Sequence, residues 1–227
     1  MTDSQPIMSS SQHESIGAYA WPRKVEGLPR YERKKIQTRE RIYKTALKLF
    51  AERGLAATTV DQITETADVA KGTFFNYFRS KEQVFGYFIE RQHAKLAEAL
   101  EEVRRGKPVG AVLRKAFRRL GGEVGTSPNL ARALIAAVLG NEIARETVAT
   151  GMAQGRQYLT HILTIGQSRE QIRGDRRVAT MSMAFQQAVF GALVVWAINP
   201  QMKLANLLNA TFEDYWKCIE ARRDGSK

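Results

Sequence analysis

The residue types that can do chemistry gather between positions 59 and 81: Thr59, Lys71, Gly72, Thr73, Asn76, Tyr77 and Lys81. Ammonium, amide and hydroxyl donors set this close together suit phosphate oxygens and base edges. Lysine reaches guanine acceptors or phosphate, and threonine and asparagine bond base edges or phosphates. Gly72 contributes no donor. A glycine inside a helix costs about 1 kcal/mol relative to alanine, so its presence implies that something needs the space. For each residue a plainer reading stands beside this one: Lys71 as a solvated lysine, Tyr77 as a half-buried core tyrosine. Nothing in the sequence offers a nucleophile paired with a base, a phosphate loop or a dinucleotide fingerprint. His13, His93 and His161 are far apart, and none has a cysteine or second histidine at ligand spacing. The expectation is therefore a binding protein with no catalytic residue, no metal and no resident cofactor.

The charge follows the same stretch. The 227 residues carry 35 Lys and Arg against 23 Asp and Glu, a formal net charge of +12. Residues 33–81 hold 11 basic and 5 acidic side chains, half of the net charge in about a fifth of the length. That is the footprint of a nucleic-acid module joined to a more neutral partner domain. Apolar content of 44% and charged content of 26% are ordinary for a globular chain of one or two domains. The longest apolar run, from Ala188 to Ile198, is well below the ~20 residues that span a bilayer. No basic start followed by an apolar stretch marks a secretory signal. The single cysteine, Cys218, has no internal disulfide partner, as befits a reducing compartment. The expected location is the cytoplasm, with no membrane partner.

The elements that must position these residues are helices. Residues 1–32 repeat no apolar period and read as a disordered N-terminal extension. Ile42, Ala46, Leu49 and Phe50 fall on one helical face, and Gly54 ends that helix. Thr58 or Thr59 caps a short helix through about Thr66. Ala67, Asp68 and Val69 form a tight turn, and Ala70 to Tyr77 form a third helix anchored by Phe74 and Phe78. Ser80 caps a fourth helix running to about Arg105. Beyond it, helical stripes start after Pro108 and at Pro128, then run from about Glu142 to Ser168, from about Arg176 to Ile198, and from about Leu204 to Ile219. No stretch alternates with period two for long, so no sheet is expected. The fold class is all-α: residues 33–81 form a three-helix helix-turn-helix domain, and residues 82–227 a larger helical bundle.

Five blocks now stand in order. They are Thr38-Arg39-Glu40-Arg41-Ile42, Ala46 to Gly54, Thr58 to Ile63, Lys71 to Phe78, and Ser80-Lys81-Glu82. Together, over about Ile36 to Leu96, they resemble the DNA-binding domain of the TetR family of bacterial transcriptional regulators. Three positions depart from the family pattern: Asp68 where glycine is usual, Ala70 where serine is usual and Phe75 where tyrosine is usual. Aspartate tolerates left-handed backbone, alanine offers no capping oxygen, and phenylalanine has no hydroxyl for a phosphate.

The resemblance implies a sequence-specific regulator, a ligand-responsive repressor that binds a palindromic operator as a homodimer. On this reading Lys71, Gly72, Thr73, Asn76 and Tyr77 meet DNA from the recognition helix. Thr59 and Lys81 meet phosphates beside it. The resemblance further implies an effector pocket, with Phe117, Met181, Phe185, Gln186 and Trp196 as candidates for a small, apolar effector. It implies a dimer interface on the last two helices, with Val189, Leu193, Leu208, Phe212 and Tyr215 as candidates. Gly151 and Gly155, one turn apart, read as aids to close helix packing. The alternatives are an activator or ligand-independent regulator of the same fold, a basic helical enzyme or scaffold, and a nonspecific DNA-coating protein.

Overall fold

The computed structural model describes residues 27–122 and 124–221. Among them the elements are α1 (Arg30–Ala57), α2 (Val60–Thr66), α3 (Lys71–Tyr77), α4 (Val84–Arg104), α5 (Val109–Gly122), a short 3-10 turn (Val124–Thr126), α6 (Pro128–Gly140), α7 (Glu142–Ser168), α8 (Val178–Ile198) and α9 (Leu204–Ile219). The fold is all-α, with a small N-terminal helix-turn-helix bundle and a larger C-terminal domain. The first 26 residues of the expected N-terminal extension lie outside the described residues, and its last three, Arg30 to Glu32, belong to α1.

Local chemistry accounts for the N-terminal breaks. Gly54 takes φ +78°, a left-handed conformation that glycine adopts without a Cβ penalty, and it separates the body of α1 from its last turn. The buried Thr58 hydroxyl donates back to the Gly54 carbonyl at 2.8 Å and closes the bend. Thr59, not Thr58, caps α2. Its hydroxyl accepts from Gln62 N–H while the Gln62 side chain accepts from Thr59 N–H, a reciprocal capping box. Asp68 adopts φ +50° in the turn to α3, and the Arg41 guanidinium bonds its carbonyl oxygen. Ala70 begins α3 with no side-chain cap.

Ser80 does not cap α4. Residues 80–83 form successive tight turns instead, and α4 starts at Val84. From there α4 serves both domains. Near its start, Phe85 stacks on Phe50 of α1 and Tyr87 meets Tyr43 edge-on at 4.8 Å. A half-buried polar cluster locks the joint. Arg39 makes two bonds to Glu90 and lies 4.2 Å from the Tyr87 ring centroid, and Tyr87 and Arg91 both donate to Glu40. Burial pushes the Tyr87 phenol well above its ordinary pKa, and the neighbouring Glu40 carboxylate pushes it further.

Farther along, α4 packs against α7. Gly151 makes this contact close: a Cβ there would overlap Ile89 Cγ2. Gly155, one turn on, is different, since an added Cβ would sit at an ordinary 3.5 Å from Leu96 Cδ1. By length and composition α8 could cross a bilayer, but it packs among α6, α7 and α9. An aromatic centre fills the space between α5, α8 and α9. Phe117 meets Phe185 at 5.2 Å and Phe212 at 5.6 Å, and Phe185 meets Tyr215 at 5.5 Å, all near edge-to-face. The end of α9 is tied to the loop after α7 by an isolated antiparallel bridge, Ile172 to Glu220.

Candidate nucleic-acid interface and apolar cavity

The helix-turn-helix presents α3 through two anchors. Phe74 and Phe78 are fully buried and pack against each other, and Phe78 also meets Tyr87 of α4. With that side fixed, Lys71, Gly72, Phe75 and Asn76 lie on the open side, and Thr73 and Tyr77 are half-buried at its edges. Lys71 pairs with Asp61 of α2 at 2.7 Å, but both side chains are more than half exposed, so the pair is weak and open to exchange. A Cβ on Gly72 would meet nothing within 4 Å, and its φ is not positive. Neither backbone geometry nor intramolecular packing therefore demands glycine there. Phe75, 46% exposed, adds an apolar ring to the same surface, a feature the sequence signals only by the missing tyrosine hydroxyl.

Thr59 is exposed at the start of α2, where its oxygen already accepts the capping bond. Its hydroxyl proton remains available to an outside acceptor. Lys81, expected to meet phosphate, has partners inside the chain. Its ammonium donates to the carbonyl oxygens of Leu55 and Thr58, each at 2.7 Å, and to Ala56 at 3.3 Å. All three donors of the ammonium are thus spent on the otherwise open carbonyls at the end of α1. Lys81 stitches the α1–α2 bend to the start of α4.

In the C-terminal domain a cavity of about 170 Å³ lies between α4, α6, α7 and α8. Of the residues expected to line a pocket, Phe185 and Gln186 do so. Phe117, Met181 and Trp196 do not. Phe117 is fully buried in the aromatic centre behind Phe185. Met181 is buried, and its carbonyl accepts the Tyr215 hydroxyl at 3.1 Å. Trp196 is buried with its indole N–H on the Met202 carbonyl, closing the loop between α8 and α9. The residues that sequence reasoning missed come mostly from α4 and α7, among them Ile89, His93 and Met152. Their apolar spacing is that of ordinary core, so no local signal separates them.

The expected dimer residues fall in two places. Val189 and Leu193 line the cavity. Leu208, Phe212 and Tyr215 are buried within the chain's own core. Burial pushes the Tyr215 phenol far above its usual pKa, which keeps it neutral and donating to Met181. The exposed apolar residues of α8 are instead Met183, Phe190, Val195 and Ile198, the last 77% exposed. Among the described residues no group of acidic, histidine and cysteine side chains is arranged to hold a metal ion.

The model of the bacterial regulatory proteins of the tetR family matches residues 42–87, from the middle of α1 into α4. The HTH-type transcriptional regulator YerO of Bacillus subtilis is 39% identical over 83 residues, 35% of this chain and 28% of YerO. The HTH-type transcriptional repressor NemR of Escherichia coli is 36% identical over 66 residues, 29% of this chain and 33% of NemR. The matched region spans about a third of the length of these curated relatives. Across the whole fold, the structure of FadR from Thermus thermophilus, a TetR-family transcriptional repressor in complex with lauroyl-CoA, superposes with a TM-score of 0.60. It is 24% identical and covers 83% of this chain and 98% of FadR. The match over residues 42–87 and the helix-turn-helix built from Thr59 to Phe78 lead to one conclusion: this segment is similar to the DNA-binding region of the tetR family of bacterial regulatory proteins, and the whole chain shares the fold of FadR.

Proposed function

We propose that the protein is a sequence-specific DNA-binding transcriptional regulator that acts as a ligand-responsive repressor on a palindromic operator. The observation that carries this is the open side of α3. Lys71 and Asn76 are offered to solvent, with Thr73 half-buried at the edge, on a helix held rigidly by Phe74 and Phe78, beside a glycine whose missing side chain serves no internal purpose. A recognition helix in the major groove needs that combination of donors and close approach. NemR and FadR are repressors by name, which favours repression over activation.

A palindromic operator requires two copies, and the exposed apolar side chains of α8 support a homodimer built on that helix rather than on the buried core of α9. The cavity is the effector site of this reading. Its lining is overwhelmingly apolar, and FadR carries a lipid-like ligand in the same fold. An effector acts by binding one separation of the two DNA-binding domains better than another, and α4, which touches both the helix-turn-helix and the cavity, is the element it would bias. The protein is expected to work in the cytoplasm.

Selection of bound sites from random duplex DNA with the purified chain, at near-physiological salt, tests the reading. An enriched inverted repeat is the expected outcome. Affinity that depends on salt alone, with no enriched sequence, would sink it in favour of nonspecific coating. Deleting the gene in a reporter strain should then raise expression from the selected site, and a fall would mean an activator.

A further inference from the structure

We propose that the cavity takes a small, neutral, aromatic hydroxyl compound, with Nδ1 of His93 accepting the hydroxyl proton. The proposal rests on the reading of the cavity as the effector site and adds the chemical class of the effector. Size comes first. A volume of about 170 Å³ is close to the roughly 150 Å³ of an engineered protein cavity that holds benzene, so one ring with a short substituent fits. Phe85, Phe88, Phe185 and Phe190 all line it, which favours a ring over a chain.

Charge comes next. Among the described residues no Asp, Glu, Lys or Arg lines the cavity, so an ionised ligand would be desolvated there without a counter-charge. Two cations bond lining side chains without lining the cavity themselves: Arg156 donates to the Gln186 amide oxygen at 2.9 Å, and Lys95 to the Gln92 amide oxygen.

Among the described residues the polar lining side chains are Gln92, His93 and Gln186. Gln186 is spent at both ends, since its amide nitrogen donates to the Met152 carbonyl at 2.7 Å. The Gln92 oxygen accepts from Lys95 at 3.1 Å. His93 differs. Its Nε2 lies 2.8 Å from the Gly151 carbonyl oxygen, which can only accept, so Nε2 carries the proton. With the single ring proton on Nε2, Nδ1 offers a lone pair. Among the described residues no buried side-chain nitrogen or oxygen lacks a partner, and Nδ1 has no bond, so it borders open space and not packed protein. Tyr158, with its ring centroid 6.0 Å away, helps hold the imidazole in place. An acceptor open to an apolar space selects a ligand that brings a donor, because a ligand without one leaves that acceptor desolvated and unpaired.

Calorimetric titration of the full chain with 4-ethylphenol and 4-ethylanisole tests this. The two differ little in size, and only the first can donate. The expected result is at least tenfold tighter binding of 4-ethylphenol, a preference that falls below twofold in His93→Phe. Gly155→Ala supplies the control. Its Cβ would sit 3.5–3.7 Å from Leu96, Gln186 and His93, so it fits the fold while taking space beside the imidazole. It should weaken both ligands and leave their ratio unchanged. Equal affinities in the parent chain overturn the proposal, as does an undiminished preference in a folded His93→Phe. Binding of dodecanoate or its coenzyme A thioester with no binding of either ring compound also overturns it. Ligand binding is read without DNA, so a failure of site selection and a failure of this titration are separate results.

Discussion

The helix-turn-helix and the C-terminal bundle are both helical, but their residues reveal different things. Between Thr59 and Phe78 each element is short and bounded by a residue with a local job: a capping threonine, a left-handed aspartate, a pair of phenylalanine anchors. Side chains not used by those jobs are left on the outside, so role can be read from type. In α8 nearly every residue is apolar, and the helix buries Phe185 in the core, lines a cavity with Val189 and exposes Ile198. There type announces burial without direction. Periodicity identifies a face only when the other face is polar.

The sharpest way to break this contrast is Phe212→Ala. As an interface residue its loss would leave a folded monomer. As the centre of the aromatic core it should cost about 3–5 kcal/mol and lose much of the folded population. Chemical denaturation beside sedimentation separates the two, and a stable monomer would overturn the assignment to the core. Next in size are two lysines ten residues apart. Lys81→Ala strips the carbonyls of Leu55 and Thr58 of their donor and should cost about 1–3 kcal/mol of stability while leaving the salt slope of DNA binding unchanged. Lys71→Ala should leave stability nearly untouched and reduce discrimination between operator and random DNA by about 1–3 kcal/mol. An exchange of these phenotypes would reverse the roles of the two lysines.

Thr59→Ala removes a reciprocal cap and should lower stability by about 1 kcal/mol, read from the denaturation midpoint. The smallest effect is the most discriminating. Gly72→Ala meets no neighbour and should stabilise the chain by up to about 1 kcal/mol through helix propensity, yet weaken DNA binding. If operator affinity is unchanged in Gly72→Ala, the close approach inferred for α3 is wrong.

How much of the site was legible follows the same division. The open side of α3 at Lys71, Gly72 and Asn76 could be read in advance because the anchors Phe74 and Phe78 leave it no role in the bundle's packing. Lys81 could not, because its partners are carbonyls of Leu55, Ala56 and Thr58, more than twenty residues earlier, which only the fold brings to its ammonium. The two glycines of α7 look alike in sequence. Ile89 of α4 makes Gly151 necessary to the packing, whereas Gly155 faces room for a methyl group.

By itself the sequence determined the helices, their breaks and the basic, donor-rich segment that meets solvent, since those depend on backbone preferences and charges acting over a few residues. Only the tertiary structure decided which apolar side chains of α8 and α9 became core, cavity wall or exposed surface, and that His93 stands at the cavity with one nitrogen engaged. The physical reason is that hydrophobic burial has no direction. It drives Phe212 and Ile198 toward apolar surroundings with similar force, and which of them finds those surroundings inside the chain is settled by how the helices pack.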